Sequence, residues 1–410
     1  MARSTPSVLH LLAQRPTLTG SGVTLDQLAR QAAEAGWEQY AVVGVPAELE
    51  VTVPGVDPEH LFPLRFETLT LPFPVPGMSD VMPYPSTRYS AIDDARWARL
   101  RESWYEHLDA VAQTVSPDVI HAHHLWLMSS LVKQVFPSTP VVTHCHATGL
   151  RQMALCSERA PEIVAGLRRN DAFLVLDRAS VTTVAERLEL DADRIHVVGA
   201  GYRDDLFHSD GRGPTNGCEL LYVGKLARAK GLHCLLDAFE ALAADDPRLR
   251  LHVAGSGEGD EAVALRERMK SMGARVVVHG QLDHSRLGEL MRRCDVLVLP
   301  SFYEGLPLVL CEAAACGCRV VASNLPAVRD PLAAALGDWL TPVELPPLIG
   351  PDEPDADAVP AFVERLSAGI ARALTTLPET PPRVRDFTWA AVFARVEAVW
   401  ASLGAGASRA

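Results

Sequence analysis

The chain has 410 residues, of which 48% are hydrophobic and 22% charged, and its formal net charge is −13 at pH 7. This length exceeds what one hydrophobic core usually covers, so two domains of roughly 150 to 200 residues are expected. The acidic balance argues against a nucleic-acid partner, because a phosphate backbone is bound by a basic surface. No apolar run approaches the roughly 18 residues of a membrane-spanning helix, and peripheral membrane contact is possible but not indicated by the sequence.

The first residues lead directly into an apolar stretch and lack the basic, apolar and cleavable parts of a secretory signal. A cytoplasmic location is therefore expected. The eight cysteines show no paired metal-ligand spacing, and cytosolic thiols stay reduced, so all eight are interpreted as packing residues. The composition leaves the oligomeric state open.

Short β-rich runs alternate with helical patterns along the whole chain, which is typical of parallel sheets covered by helices. The expected strands are residues 8–13, 39–43, 67–71, 118–121, 141–144, 172–176 and 195–198 in the first half, and 219–223, 251–254, 275–278, 295–299 and 319–322 in the second. The pattern predicts an α/β fold with two doubly wound domains. Ligands of such sheets bind beyond the carboxyl ends of the strands, so a site is expected in a cleft between the domains.

The domain boundaries follow from changes in this rhythm. A stretch rich in Gly, Asp and Pro suggests a linker. The final segment has the pattern of an amphipathic helix and is expected to cross back and pack on the first domain. The predicted segments are a first domain at residues 1–200, a linker at 201–217, a second domain at 218–385 and the C-terminal helix at 386–410. Two further segments are expected to lack regular structure, an irregular loop at 72–89 and a surface excursion at 342–360.

Two glutamates flank a predicted helix start after the strand at residues 295–299, in the stretch SFYEGLPLVLCEAAACG. Backbone amides at a helix start bind phosphate through their free N–H groups and the helix dipole. Glu304 lies in the loop, where it can accept sugar hydroxyls, and Glu312 lies about one turn into the helix, where it can bind a vicinal diol such as ribose. Taken singly, each glutamate is more often a solvated surface residue. The predicted donor-binding residues at this helix start are Gly305, Leu306, Pro307 and Leu308.

This stretch, with its E-x7-E spacing, resembles the signature of glycosyltransferase family 4. The resemblance implies a GT-B fold, in which two Rossmann-like domains face each other and the first domain binds the acceptor. It also implies a retaining enzyme that moves a sugar from a nucleotide diphosphate sugar to a hydroxyl of a glycan, a lipid-linked acceptor or a small molecule. The implied mechanism is same-face attack, in which the departing diphosphate takes the acceptor's proton.

Upstream, the strand at residues 219–223 opens into GKLARAKG, which is similar to the family's phosphate-binding turn. Lys230 matches the family lysine, and a cation there can offset charge on a departing diphosphate. Lys225 departs from the family pattern, which more often has arginine. Lysine lacks the planar guanidinium fork, so a bidentate phosphate contact is not expected at Lys225.

Further glycine-rich loops are expected to contact the donor. Gly255, in the run AGSGEG, allows close backbone approach after a strand, although a glycine run alone is weak evidence. The resemblance implies backbone contacts to the base from Gln281 and Leu282. In the first domain, Gly20 and Gly22 lie in a loop before a helix, which is equally consistent with a plain turn. The family places a glycine-rich loop there against the donor phosphate or the acceptor.

The stretch VVTHCHATGLR ends a strand and resembles the family's H-G-T or H-G-S segment, with His146 as the better match of the two histidines. A strand-end histidine can bind sugar hydroxyls near the anomeric carbon. His144 and His146 also raise the possibility of a metal, but no third ligand with suitable spacing is visible in the sequence, and no metal is predicted. For His121, His123 and His124, acceptor contact and loop packing are equally consistent with the sequence.

The loop at residues 72–89 belongs to the half that holds the acceptor in the family, and loops of this kind carry specificity. The candidate acceptor contacts are Met78, Ser79, Asp80, Tyr84 and His123. Asp80 and Asp94 are candidate acceptor contacts, but the sequence favours solvated loop carboxylates for both. The predicted catalytic residues are His146, Lys230 and Glu304, and the predicted donor-binding residues are Gly20, Gly22, Lys225, Gly255, Gln281, Leu282, Gly305, Leu306, Pro307, Leu308 and Glu312.

Other functions remain open from the sequence alone. A nucleotide-sugar 2-epimerase or a glycan phosphorylase has a similar fold and similar donor motifs. A protein that binds nucleotide sugars without catalysis is a further alternative, disfavoured by the combined presence of Lys230, Glu304 and Glu312. A dinucleotide-dependent dehydrogenase is disfavoured because no G-x-G-x-x-G with a later acidic partner is present. No Asp-x-Asp lies at a strand end, so no cofactor and no catalytic metal are expected.

Overall fold

A computed structural model describes residues 5–80, 82–376, 378 and 380–405. The chain forms two compact units. One contains residues up to 200 together with those from 389 onward, and the other contains residues 201–388.

The first unit is built on a seven-stranded sheet whose paired strands run parallel, in the order β3-β2-β1-β6-β7-β8-β9. Two-residue strands β4 and β5 form a separate pair. The strands are β1 Ser7–Leu12, β2 Glu38–Pro46, β3 Leu61–Phe66, β4 Pro76–Gly77, β5 Thr87–Arg88, β6 Val119–His123, β7 Val141–His144, β8 Ala172–Val175 and β9 Ile195–Val197. The helices are α1 Gly20–Glu34, α2 Asp94–Ala112, α3 Leu127–Val135, α4 Thr148–Leu155, α5 Ala160–Leu167 and α6 Arg178–Leu188.

The second unit contains a six-stranded parallel sheet in the order β12-β11-β10-β13-β14-β15. Its strands are β10 Glu219–Val223, β11 Arg250–Ala254, β12 Val276–Gly280, β13 Val296–Leu299, β14 Arg319–Ser323 and β15 Leu340–Val343. Its helices are α7 Leu232–Asp245, α8 Gly259–Ser271, α9 His284–Arg293, α10 Val309–Ala315, α11 Pro326–Arg329, α12 Ala333–Leu336 and α13 Val359–Thr375. The predicted fold class, two doubly wound α/β domains, is confirmed.

Both sheets reverse their strand order once, and these reversals position the candidate site residues. In the first sheet the order reverses between β1 and β6, and in the second between β10 and β13. Loops after two such strands lead away to opposite sides and leave a crevice at the carboxyl edge. In each domain, the expected binding position therefore lies at the loops after these two strands.

The last helix, α14 Trp389–Ser402, returns to the first unit as the sequence predicts. Its buried Trp400 packs edge-on against Trp37 with ring centroids 4.9 Å apart. The Trp37 indole N–H donates to Glu397 at 2.8 Å, and the Arg395 guanidinium donates to the Val198 carbonyl at 2.9 Å. The helix thus covers one face of the first sheet with large apolar side chains.

One predicted strand was misplaced and one observed strand was not predicted, and the two strands concerned, β3 and β15, are edge strands that contain a proline. The strand expected at residues 67–71 lies at β3 instead, and it ends where Glu67 takes a positive φ of 61°. The surface excursion at residues 342–360 overlaps the end of β15 and the start of α13. Pro63 lies within β3 and Pro342 within β15. Each of these strands has a neighbour on one side only, so a missing N–H is tolerated there.

The predicted linker at residues 201–217 lies within the second unit. The Arg212 guanidinium donates to the carbonyls of Cys294 at 2.8 Å and Cys316 at 3.2 Å, which ties this segment to the ends of α9 and α10. The loop at residues 72–89 contains the short strands β4 and β5. None of the helices in the described part of the chain is long and apolar enough to cross a membrane.

Candidate functional site

The loops after β10 and β13 touch through their backbones at the reversal of the second sheet. A Cβ added to Gly231 would lie 1.9 Å from the Pro300 carbonyl oxygen, and Gly231 has a positive φ of 68°. The Phe302 N–H donates to the Ala229 carbonyl at 2.9 Å. Only glycine allows this approach, so the final glycine of GKLARAKG is required by packing as well as by backbone conformation.

This contact brings two predicted catalytic side chains together. The Lys230 ammonium lies 2.9 Å from a carboxylate oxygen of Glu304 and also donates to the Tyr303 carbonyl at 3.2 Å. Both side chains are partly buried, with exposed fractions of 26% and 16%. A partly buried ion pair is screened less by solvent than a surface pair, so the attraction between Lys230 and Glu304 is stronger than it would be on the open surface. The structure thus brings Lys230 into direct contact with the glutamate motif.

The loops after β11 and β12 extend the same backbone network. A Cβ on Gly255 would lie 1.8 Å from the Gly224 carbonyl oxygen. The Gly224 N–H donates to the Ala254 carbonyl at 3.0 Å, and the Gly255 N–H donates to the Gly280 carbonyl at 2.7 Å. Gln281 and Leu282 follow directly in the chain. Predicted donor-binding loops therefore join at one edge of the sheet.

Glu312 is the fourth residue of α10 and is only partly exposed. Burial raises the pKa of its carboxyl group to about 7. Within the described residues its carboxylate has no hydrogen-bond or ion-pair partner. An unpaired, partly buried carboxyl group is destabilising unless a ligand completes its hydrogen bonds, which marks Glu312 as a candidate ligand contact.

Helix α10 begins at Val309 and is seven residues long. Gly305, Leu306, Pro307 and Leu308 therefore form the turn that precedes it. Pro307 is buried, whereas Gly305 is exposed, and a Cβ added to Gly305 would meet no heavy atom within 4 Å. Lys225 is exposed, and no ion pair involves it among the residues that the structure describes.

In the first unit, histidines gather at the carboxyl ends of β6 and β7. His123 Nδ1 lies 3.0 Å from His146 Nε2, and His144 stacks on His146 with ring centroids 4.5 Å apart. Burial lowers the pKa of His123 and His146 well below the usual histidine value. His146 is therefore neutral near pH 7 and is suited to hydrogen bonding rather than to holding charge.

Sequence reasoning missed Gln14, which links three segments of the first unit. Its amide group donates to Thr19 Oγ1 at 2.7 Å and Ser21 Oγ at 2.8 Å, and its carbonyl oxygen accepts from the Met78 N–H at 3.4 Å. Gln152 donates to the Met78 carbonyl at 3.1 Å. The only available signal was the position of Gln14, just after β1 and therefore at the strand-order reversal.

The other predicted site residues of the first unit differ in how tightly they are packed and in which partners they contact. A Cβ on Gly22 would lie 2.6 Å from the Thr17 backbone nitrogen, whereas one on Gly20 would meet nothing within 4 Å. Gly22 is thus required by packing and Gly20 is not. Asp80 forms an ion pair with Arg151, and Tyr84 is buried with the Arg15 guanidinium 4.8 Å from its ring centroid.

Comparisons with known proteins agree with this arrangement. The model of glycosyl transferases group 1 matches residues 207–342, and the glycosyl transferase 4-like domain matches residues 19–201. Glycogen synthase of Mycobacterium tuberculosis is 33% identical over 219 residues, 51% of this chain and 52% of that protein. The phosphatidyl-myo-inositol mannosyltransferase of Mycolicibacterium smegmatis is 28% identical over 306 residues, 70% and 72% of the two chains. The match thus spans about half the length of the first relative.

A similar fold occurs in solved structures. An Anabaena protein crystallised with UDP and glucose aligns with a TM-score of 0.58 over 96% of this chain and 99% of that one, at 15% identity. Two Rossmann-like domains, each with its candidate residues at a strand-order reversal, define the class as GT-B. The chain belongs to the family-4-type glycosyltransferases, since the two matched family models together cover most of both domains.

The contact at Gly231 can be tested against a matched glycine. Gly273 has a φ of 67°, nearly that of Gly231, but a Cβ there would meet nothing within 4 Å. We expect Gly273→Ala to lower the free energy of unfolding by about 1–2 kcal/mol through backbone strain alone. Gly231→Ala should lower it by clearly more, because the Pro300 carbonyl must also move. Urea unfolding measures both, and equal losses would contradict the packing argument.

The raised pKa of Glu312 predicts a pH-dependent stability. Above about pH 4.5 the carboxyl group ionises in the unfolded chain while the folded protein keeps it protonated up to about pH 7. This linkage destabilises the folded state increasingly over that interval. Glu312→Gln should therefore resemble the parent at pH 4.5 and exceed its stability at pH 8 by up to about 3 kcal/mol. The exposed Glu267→Gln serves as the control, and pH-independent differences for Glu312→Gln would contradict the prediction.

Proposed function

We propose that the protein is a retaining glycosyltransferase that moves a hexosyl group from a nucleotide diphosphate sugar to an acceptor hydroxyl. The observation that carries this proposal is the ion pair of Lys230 and Glu304 at the strand-order reversal of the second sheet. Membership of the family indicates the reaction class. The site contains groups suited to bind the sugar and diphosphate of the donor and, separately, its ribose.

Lys230 is proposed to stabilise the departing diphosphate. Its ammonium group is held by the Tyr303 carbonyl as well as by Glu304, so little reorganisation is needed when negative charge develops on the leaving group. Preorganised charge of this kind is among the larger contributions to catalysis. Glu304, fixed through Lys230, is proposed to accept hydrogen bonds from the transferred sugar.

Glu312 is proposed to bind the ribose of the donor. A carboxylate can accept two hydrogen bonds from a vicinal diol, and such bonds would complete the contacts that the described protein leaves unmade. The Anabaena structure that contains UDP and glucose supports a uridine diphosphate sugar as the first donor to test. Backbone contacts from Gly255, Gln281 and Leu282 are proposed to hold the base and phosphates, together with the turn at residues 305–308.

In the first domain, His146 is proposed to hydrogen-bond the sugar near its anomeric carbon. Its neutral state and its bond to His123 support a role as an oriented hydrogen-bonding group. Met78 is hydrogen-bonded to Gln14 and Gln152, which supports its neighbours Ser79 and Asp80 as acceptor contacts on an anchored loop. We further propose that the acceptor's proton passes to the diphosphate and that this transfer needs no divalent ion at the phosphates.

The reaction can be tested directly with an acceptor panel and a uridine diphosphate sugar. We expect proton NMR to show a product whose anomeric configuration equals that of the donor, formed at the same rate in EDTA as in Mg²⁺. An inverted product would contradict retention, and activity restored only by a divalent ion would contradict metal independence. Epimerisation of donor alone, or dependence on inorganic phosphate, would favour the alternative enzymes of similar fold.

Removing one member of the ion pair should reduce turnover. We expect Lys230→Met and Glu304→Ala each to lower kcat by about ten- to a thousandfold, because each removes a charge-stabilising group. The exposed Lys270→Met in α8 is the matched control and should retain parental kcat. Steady-state kinetics provide the measurement, with thermal unfolding to confirm folding. Unchanged kcat in both site variants would refute the assigned roles.

A further inference from the structure

The first unit contains more buried histidines than the proposed reaction requires, since that reaction assigns a role to His146 alone. His121, His123 and His144 lie in the sheet with side chains at most 1% exposed. The sequence shows two separate His-x-His pairs, with His124 directly after the first, and does not show that residues of the two pairs meet. The structure combines the pairs across neighbouring strands. We propose that these three histidines, named here the histidine triad, bind one divalent transition-metal ion, with zinc as the first candidate.

The strand pairing explains how the triad forms. His121 and His123 are two residues apart on β6, so both side chains point to the same face of the sheet. His144 lies on β7 directly opposite His123 in the parallel register. One ring nitrogen from each of the three residues lies within 4.8 Å of the other two. A His-x-His strand with a third histidine on its neighbour thus presents three nitrogen donors to one point.

The hydrogen bonds within the protein do not satisfy these rings. His121 Nε2 lies 3.4 Å from His144 Nδ1, and His123 Nδ1 pairs with His146. In each triad ring the other nitrogen is buried and has no partner in the described protein: His121 Nδ1, His123 Nε2 and His144 Nε2. A buried polar atom whose hydrogen bond is unmade destabilises the fold. Three such atoms in one cluster indicate a ligand that accepts nitrogen lone pairs.

The donor set selects the class of ion. Three imidazoles suit zinc, copper, nickel or cobalt, whereas magnesium and calcium require oxygen ligands. Zn–N distances of about 2.0–2.1 Å in a tetrahedron place the nitrogens about 3.4 Å apart, so the rings would approach by about 1.4 Å at most. The fourth position is left for water or another ligand. An ion in the triad would not act on the diphosphate, which the proposed reaction stabilises without a divalent ion, but it would adjoin the proposed sugar contact because His123 Nδ1 lies 3.0 Å from His146 Nε2.

Metal content of the full chain without an affinity tag tests the proposal. The protein is incubated with Zn²⁺ and freed of unbound metal by gel filtration. We then expect inductively coupled plasma mass spectrometry to find about one zinc per chain. Substitution by Co²⁺ should give the intense visible absorption of a tetrahedral site. His144→Asn should weaken binding by at least about 100-fold, more than loss of a merely supporting contact. The control is His10→Asn, a buried histidine 6.0 Å from His121 by ring centroids and outside the triad.

Circular dichroism establishes that each variant is folded, and His121→Asn replaces His144→Asn if the latter is not. Absence of stoichiometric zinc in the parent protein would overturn the proposal. It would also be overturned by a Co²⁺ spectrum typical of octahedral coordination, or by equal loss of binding in His10→Asn and the triad variant. The proposal would be supported if the parent protein and the His10→Asn variant retain zinc while the triad variant loses it.

Discussion

The backbone contact between Gly231 and the Pro300 carbonyl is the constraint on which the second domain's candidate site depends. It fixes the loop after β10 against the loop after β13, the two strands between which the sheet reverses its order. The Lys230 to Glu304 ion pair forms across this contact. If the loops were farther apart, both charges would be solvated separately and would lose their fixed position, because a surface ion pair contributes little by itself.

Glycine has a different purpose at different places in these loops. At Gly231 and Gly255 the absence of a side chain lets two backbones touch, and their φ values of 68° and 141° are ones that other residues rarely adopt. At Gly305 the surroundings are open, so packing does not require glycine there. The same residue type therefore supports the scaffold in two loops, while in the third it leaves backbone amides accessible for a ligand.

The two domains use the same topology for chemically different sites. In the second domain, charged side chains converge at the reversal, and Glu312 has a pKa raised to about 7 by burial. In the first domain, neutral histidines lie at the carboxyl ends of β6 and β7, and Gln14 follows shortly after β1. Parallel strands bring their carboxyl ends to one edge of a sheet, so residues distant in sequence meet there whatever their chemistry.

The sequence by itself determined the parallel α/β class, most strands, and the paired motifs around Lys230 and Glu304, because alternating apolar runs and glycine-framed turns are local signals. It misplaced β3 and missed β15, two edge strands that contain a proline; proline is tolerated in a strand at a sheet edge, and edge position is a tertiary property. It also could not combine His121 and His123 with His144, because strand register is set by the packed sheet. Burial of Glu312 likewise required the tertiary structure, since a carboxyl pKa depends on the groups packed around it.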